Sequence, residues 1–261
     1  MNWQTIDVSI AAQVATVTLN RPDVRNAFNE TTIAEITRAF GELGQTAALR
    51  AIVLAANGPA FCAGADLNWM KKMAGYTHDE NRADAAQLAE MLRTIYTCPK
   101  PVVAKIQGDC YAGGMGLAAA CDIAIASEAA NFCLSEVKLG LIPATISPYV
   151  IIAMGANAAR RYFLTAERFS AQEAQRIGFV QQAVAPEALD GAVADIVKAL
   201  VTNSPNAVKE AKRLVQDVAG RPLTAELIAD TAERIADIRS SEEGREGVKS
   251  FLEKRKPGWL G

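Results

Sequence analysis

The amino-acid sequence predicts an α/β core of parallel strands with crossover helices, followed by a helical C-terminal part. Three observations carry this. Short apolar runs rich in Val, Ile and Ala alternate with segments of helical periodicity through the first half of the chain. Strands separated by a helix's length of chain pair parallel, because a tight turn cannot return the chain in the same direction. Beyond about Pro143 the helix signals dominate, from Ser147 to Phe251. A chain of 261 residues forms one large domain or one with a small annex. The division expected is an α/β core over 1–199 and a helical region over 200–261 that mediates oligomerisation.

Ile6–Ile10 and Val14–Leu19 are β-rich runs separated by Ala11-Ala12-Gln13 and read as a hairpin or neighbouring strands. Arg21-Pro22-Asp23 breaks the pattern. Asn29 is placed to cap a helix carrying Ile33, Ile36, Ala39, Phe40 and Leu43 at three-four spacing. Ala51–Ala56 is a buried strand ended by Asn57-Gly58-Pro59, and the glycine loop Phe61-Cys62-Ala63-Gly64-Ala65-Asp66 follows it. A helix spans about Glu80 to Tyr96 and stops before Cys98-Pro99-Lys100-Pro101. Pro101–Ile106 is a second buried strand. It leads through Gly108–Gly116 into an Ala-rich helix ending near Cys121, and Asp122–Ala126 is a third strand. Further on, Ser170-Ala171-Gln172-Glu173 reads as a capping box, Pro205 as a helix start and Arg221-Pro222 as a break between helices.

Composition removes several functions. Lys plus Arg is 27, Asp plus Glu is 29 and the net charge is −2, so no basic footprint for nucleic acid or an anionic membrane is present. The single histidine, His78, excludes a His-rich metal site and reads as a solvated helix-start residue. Five cysteines without a C-x-x-C pair indicate neither zinc nor a disulfide framework, and most sit in apolar runs as small core residues. That usage fits a reducing, cytoplasmic compartment. No membrane span is expected, and the first residues lack the pattern of a secretory signal.

Two loops carry chemistry. Ala63-Gly64-Ala65-Asp66 and Ala112-Gly113-Gly114 each follow a buried strand and open a helix. A helix start offers unpaired N–H groups, and glycine lets a ligand approach the backbone. Two such N–H groups aimed at one point form an oxyanion hole, although by spacing alone both loops are equally tight strand-to-helix turns. Gly114-Met115-Gly116-Leu117-Ala118-Ala119, with Glu136 twenty residues past Gly116, imitates a dinucleotide fingerprint. Its mid-chain position, with Gly108–Gly113 intervening after the strand, argues against that. Glu136 itself sits in Leu134-Ser135-Glu136-Val137-Lys138-Leu139. There it is either an exposed turn residue paired with Lys138 or a carboxylate in an apolar setting able to move protons.

Ala60-Phe61-Cys62-Ala63-Gly64-Ala65-Asp66-Leu67 resembles the first signature of the enoyl-CoA hydratase/isomerase (crotonase) superfamily. Gly108 through Ala-Cys-Asp122 to Ser135–Pro143 resembles the second. Arg21–Asn29 and Glu253–Pro257 are also similar, so the resemblance covers nearly the whole chain. It implies a crotonase-like spiral core of repeated ββα units, an acyl-CoA thioester as substrate and no separate cofactor, since coenzyme A is part of the substrate. It implies Ala65 and Gly113 as the oxyanion donors and Glu136 as the acid/base. It implies coenzyme A contacts at Arg25, Ala27, Ala63, Asp66 and Leu67, and a phosphate contact at Lys254. Relatives are usually trimers or dimers of trimers, so a homo-oligomer is expected.

One departure stands out. Family hydratases commonly carry a first glutamate where this chain has Gly116. The run Leu134–Pro148, together with Ala65–Met70, is most similar to bacterial methylglutaconyl-CoA hydratases of leucine breakdown. A glutaconyl substrate brings its own distal carboxylate, so glycine at 116 is expected to remove a like charge and open room in the acyl pocket. Asp109, Tyr111 and Ser135 are nearby polar groups that could help activate water. A single-glutamate double-bond isomerase using the same Glu136, and a non-catalytic acyl-CoA-binding relative, are the alternatives.

Overall fold

The computed structural model describes residues 3–260. The chain opens with β1 (Ile6–Ala11) and β2 (Val14–Leu19), an antiparallel hairpin turned at Ala12, whose φ is 52°. Asn29 caps α1 (Glu30–Gln45) by accepting from Thr32 N–H at 3.0 Å, as the sequence predicts. Next come β3 (Ala51–Ala56), β4 (Ala60–Cys62), α2 (Leu67–Met73) and α3 (His78–Tyr96). β5 (Val102–Ile106), β6 (Asp109–Tyr111) and α4 (Gly113–Ala120) follow. Then come β7 (Ile123–Ser127), β8 (Asn131–Cys133), a 3-10 turn at Glu136–Leu139 and α5 (Ser147–Thr165), broken at Gly155. The remainder is β9 (Phe169–Ser170), α6 (Ala171–Arg176), β10 (Gln182–Val184), α7 (Leu189–Thr202), α8 (Pro205–Val218), α9 (Ala225–Ser240) and α10 (Glu242–Leu252).

These strands form two sheets. The larger has the order β1-β2-β3-β5-β7-β10 and is parallel from β2 onward. The smaller has the order β4-β6-β8-β9, with β4, β6 and β8 parallel. Three successive passes, β3–β4, β5–β6 and β7–β8, each add one strand to the large sheet and one to the small sheet before a helix. This is the spiral of ββα units that the resemblance implied. β3 and β5 are buried on both faces, which is why they read as continuous apolar runs. Phe61, Phe132, Met115 and Leu117 belong with Phe28, Met91 and Leu92 to one buried core.

Several sequence expectations shift. α3 starts at His78 rather than Glu80, because Thr77 and Glu80 form a reciprocal capping box with Thr77 N–H donating to Glu80 at 2.7 Å. At Ser170 only half of the expected box forms. Glu173 N–H donates to Ser170, but the Glu173 carboxylate accepts from Tyr162 and Arg176 instead. The C-terminal stretch also holds β9 and β10, strands of two and three residues, too short to show periodicity. The division expected after 199 falls within the last turn of α7, which packs Leu189 and Val193 on the large sheet. Among the described residues no helix is long and apolar enough to cross a membrane.

Candidate active site

The small sheet assembles the site. β4, β6 and β8 are neighbouring parallel strands, with Cys62 opposite Cys110 and Tyr111 opposite Cys133. Their C-terminal ends share one edge. Ala65 lies three residues beyond β4, Gly113 two beyond β6 and Glu136 three beyond β8. Ligands bind outside the carboxyl ends of parallel strands, because there the loops diverge and leave backbone groups open.

The two loops touch. A Cβ placed on Gly64, whose φ is 93°, would lie 3.0 Å from Ala112 Cβ and 3.6 Å from Gly113 N. Phe28 N–H donates to Gly64 O at 2.9 Å and Asp66 N–H donates to Phe28 O at 3.0 Å. That parallel bridge turns the Ala65 N–H to the side opposite Phe28. Gly113 is the first residue of α4, so its N–H has no acceptor within the helix. Ala112 before it sits at φ 47°, ψ −120°, a region that normally needs glycine and costs about 1–3 kcal/mol for other residues. Its hydrogen bonds hold it there: Ala112 N–H donates to Cys133 O at 2.8 Å and Met115 N–H donates to Ala112 O at 2.9 Å.

Glu136 opens the 3-10 turn after β8. Its Oε2 is buried and has no hydrogen-bond partner among the described residues. Burial pushes the carboxyl above the ordinary carboxylate range, opposed only by its own backbone N–H. Lys138 is exposed and, among the described residues, forms no ion pair with it, which removes the paired-turn reading. The fingerprint imitation also dissolves, since Gly114 and Gly116 are packed helix residues and Glu136 lies in a different loop.

Other predicted residues cluster around the first loop. Arg25, exposed at φ 54°, accepts from Ala63 N–H at 3.0 Å. Arg21 bridges the group by donating to Ala27 O and to Asp66 Oδ2, the latter at 2.8 Å. Asp66 also caps α2 by accepting from Asn68 and Trp69 N–H. Burial raises its carboxyl, but those donors outweigh burial and hold it below its usual range. The Asp66 side chain is thus committed to holding the loop. Leu67 beside it is 74% exposed. Lys254 is exposed, at φ 53° just past α10, and makes no hydrogen bond or ion pair with this cluster among the described residues.

Gly116 requires a correction. A Cβ there would lie 2.8 Å from Ile146 Cβ and closer still to Ile146 Cγ2, with Leu92 Cδ2 at 3.6 Å. Glycine at this position does not open room in a pocket, because Ile146 fills the space. The candidates for activating water are also constrained. Tyr111 OH donates to Asp109 at 2.8 Å, Asn131 donates to Asp109 at 3.1 Å, and Arg168 reaches both Tyr111 and Asp109. Ser135 accepts a backbone bond from Lys138 N–H and is partly buried.

Ile146, Phe28 and Arg21 were missed as site residues. Arg21 and Phe28 read only as parts of the run Arg21–Asn29, with no role of their own, since their partners lie in remote segments.

Residues 9–261 match the profile of the Enoyl-CoA hydratase/isomerase family. A short-chain-enoyl-CoA hydratase of Clostridium acetobutylicum is 32% identical, over 98% of this chain and 97% of that protein. A mevalonyl-coenzyme A hydratase of Aspergillus fumigatus is 34% identical, over 93% of this chain and 90% of that protein. The crystal structure of an enoyl-CoA hydratase from Shewanella pealeana superposes with a TM-score of 0.96 at 43% identity, over 98% of this chain and 96% of that one. With its profile match over residues 9–261 and its matching fold and length, the chain belongs to the enoyl-CoA hydratase/isomerase (crotonase) superfamily.

Proposed function

We propose that the protein hydrates a branched α,β-unsaturated acyl-CoA, 3-methylglutaconyl-CoA, as a step of leucine breakdown. The observation that carries the hydratase chemistry is Glu136 Oε2, buried and unpartnered at the sheet edge where the Ala65 and Gly113 loops open. In this reading the thioester oxygen sits between the two N–H groups. Water adds to C3, C2 becomes an enolate carbon, and the developing negative charge falls on that oxygen. Each preorganised donor is worth about 10² to 10³ in rate. Glu136 takes a proton from the attacking water and returns one to C2. A carboxyl raised by burial suits both halves, because it holds a proton more readily than a solvated one. Arg25, Ala27, Ala63, Asp66 and Leu67 contact coenzyme A, with Lys254 at a phosphate. Coenzyme A arrives with the substrate and no separate cofactor takes part.

The branched acyl group is supported by the run Leu134–Pro148 and by the relative named for mevalonyl-CoA, which is itself a branched thioester. The lone carboxylate at 136 also favours a second reading, a double-bond isomerase. One assay separates them: purified protein with 3-methylglutaconyl-CoA, following the conjugated thioester absorbance, with Glu136→Gln as control. Rapid loss in the native protein alone supports the hydratase. No loss there, with conversion of a 3-enoyl-CoA, supports the isomerase.

The helical region is proposed to assemble a trimer or a dimer of trimers. α8 buries none of its residues, α9 only Leu227 and α10 only Ser250. Val215, Ile228, Val248, Phe251 and Leu252 stand exposed, an apolar surface that a lone chain leaves in water. Light scattering on the purified protein gives the stoichiometry.

A further inference from the structure

We infer that Phe28 is a positioning residue that sets both oxyanion donors at once. The inference rests on the two-donor site proposed above and adds what aims it. The Phe28 main chain grips the first loop from both sides of Ala65, accepting from Asp66 N–H and donating to Gly64 O. Only in that register does the Ala65 N–H face away from Phe28. The Phe28 ring meets the second loop. A Cβ on Gly113 would lie 2.8 Å from ring atom Cε1 and nearer still to Cζ. The ring therefore rests directly against the Gly113 backbone.

The ring is itself fixed. Phe28 is 1% exposed, and its centroid lies 5.9 Å from that of Trp69 at a 53° tilt. Trp69 Nε1 in turn donates to Asp84 at 3.0 Å. One residue thus links two loops that begin on different strands of the small sheet, the first through its main chain and the second through its ring. Backbone donors assist only when aimed where charge develops, and a misplacement of about 1 Å can cost about 10²-fold. Phe28 touches no reacting atom, so its effect passes through Ala65 and Gly113.

The test uses Phe28→Leu, which keeps the main-chain bonds and removes the ring from Gly113. On the native Glu136 background, kcat is expected to fall about 10- to 100-fold with KM within about threefold. On a Glu136→Gln background, crotonyl-CoA labelled with ¹³C at C1 remains unhydrated. Its carbonyl stretch, read by infrared difference spectroscopy, is expected to lose at least half of its downshift on binding. Phe28→Met, which refills the slot, recovers part of both, and it decides by the same readings if Phe28→Leu does not fold. A residue that served stability alone would lower the melting temperature and leave the carbonyl downshift intact, and that result overturns the inference. Absence of any downshift with Phe28 in place overturns the two-donor site itself.

Discussion

Replacing Gly116 with alanine sets two physical effects against each other. Gly116 lies inside α4, where alanine is favoured over glycine by about 0.5–1 kcal/mol through backbone entropy. If the position faced open space, Gly116→Ala would stabilise the protein by that amount. The structure instead puts Ile146 Cβ 2.8 Å from the new methyl, at least about 0.7 Å inside the usual carbon contact of about 3.5–4.0 Å. Overpacking of this kind typically costs about 1–3 kcal/mol, so packing outweighs propensity and the net loss is up to about 2.5 kcal/mol. In a chain of this length that lowers the melting temperature by up to about 10 °C. The assay is a double-mutant cycle with Ile146→Ala, read by thermal melting. On the Ile146→Ala background, Gly116→Ala is expected to become neutral or stabilising, because the closest obstructing atom is gone. A stabilising Gly116→Ala in the native background, or strictly additive effects, would refute the claim that Ile146 occupies this space.

Glu136→Gln removes a buried carboxylate oxygen that has no partner. The folded state holds its proton more tightly than the unfolded one, so the native carboxyl weakens folding as pH rises above the unfolded value of about 4.3. The variant is expected to melt higher at pH 7 by about 2–4 °C, on the order of 1 kcal/mol, with the gain shrinking toward pH 4 and activity down about 10² to 10⁴. Glu35 has the opposite sign. Burial raises its carboxyl, but Thr5 Oγ1 at 2.6 Å and the Gln4 and Thr5 N–H groups outweigh burial and hold it low. Its contribution, about 2 kcal/mol relative to Glu35→Gln, is fully present above pH 4.3 and lost as pH falls through the folded value. A melting difference between the two proteins that does not narrow in acid contradicts this. Arg21→Leu strands the Asp66 carboxylate, 5% exposed, and is expected to weaken coenzyme A thioester binding and lower the melting point, both measurable by calorimetry.

Much of the architecture was legible in the sequence because it follows from local pattern. The β-rich run of β2, the buried runs of β3 and β5 and the Asn29 cap depend on neighbours a few residues away. The glycine loops and Glu136 were legible as motifs. Their surroundings were not, since an exposed glutamate paired with Lys138 and a glutamate with a buried carboxyl have the same letters. Only tertiary structure distinguishes them, by burying Oε2 and leaving it without a donor.

Gly116 shows the limit most clearly. A glycine in a sequence announces a missing side chain, and the natural inference is space. Whether space exists depends on Ile146, thirty positions away in a segment whose approach no local propensity encodes. The same holds for the very short β9 and β10, which are strands because a sheet edge offers them partners. The sequence by itself determined the elements, their order and the residue types available for chemistry. The tertiary structure decided which groups meet, which lose their water, and which backbone N–H groups are left open, because desolvation and contact are set by packing between remote segments.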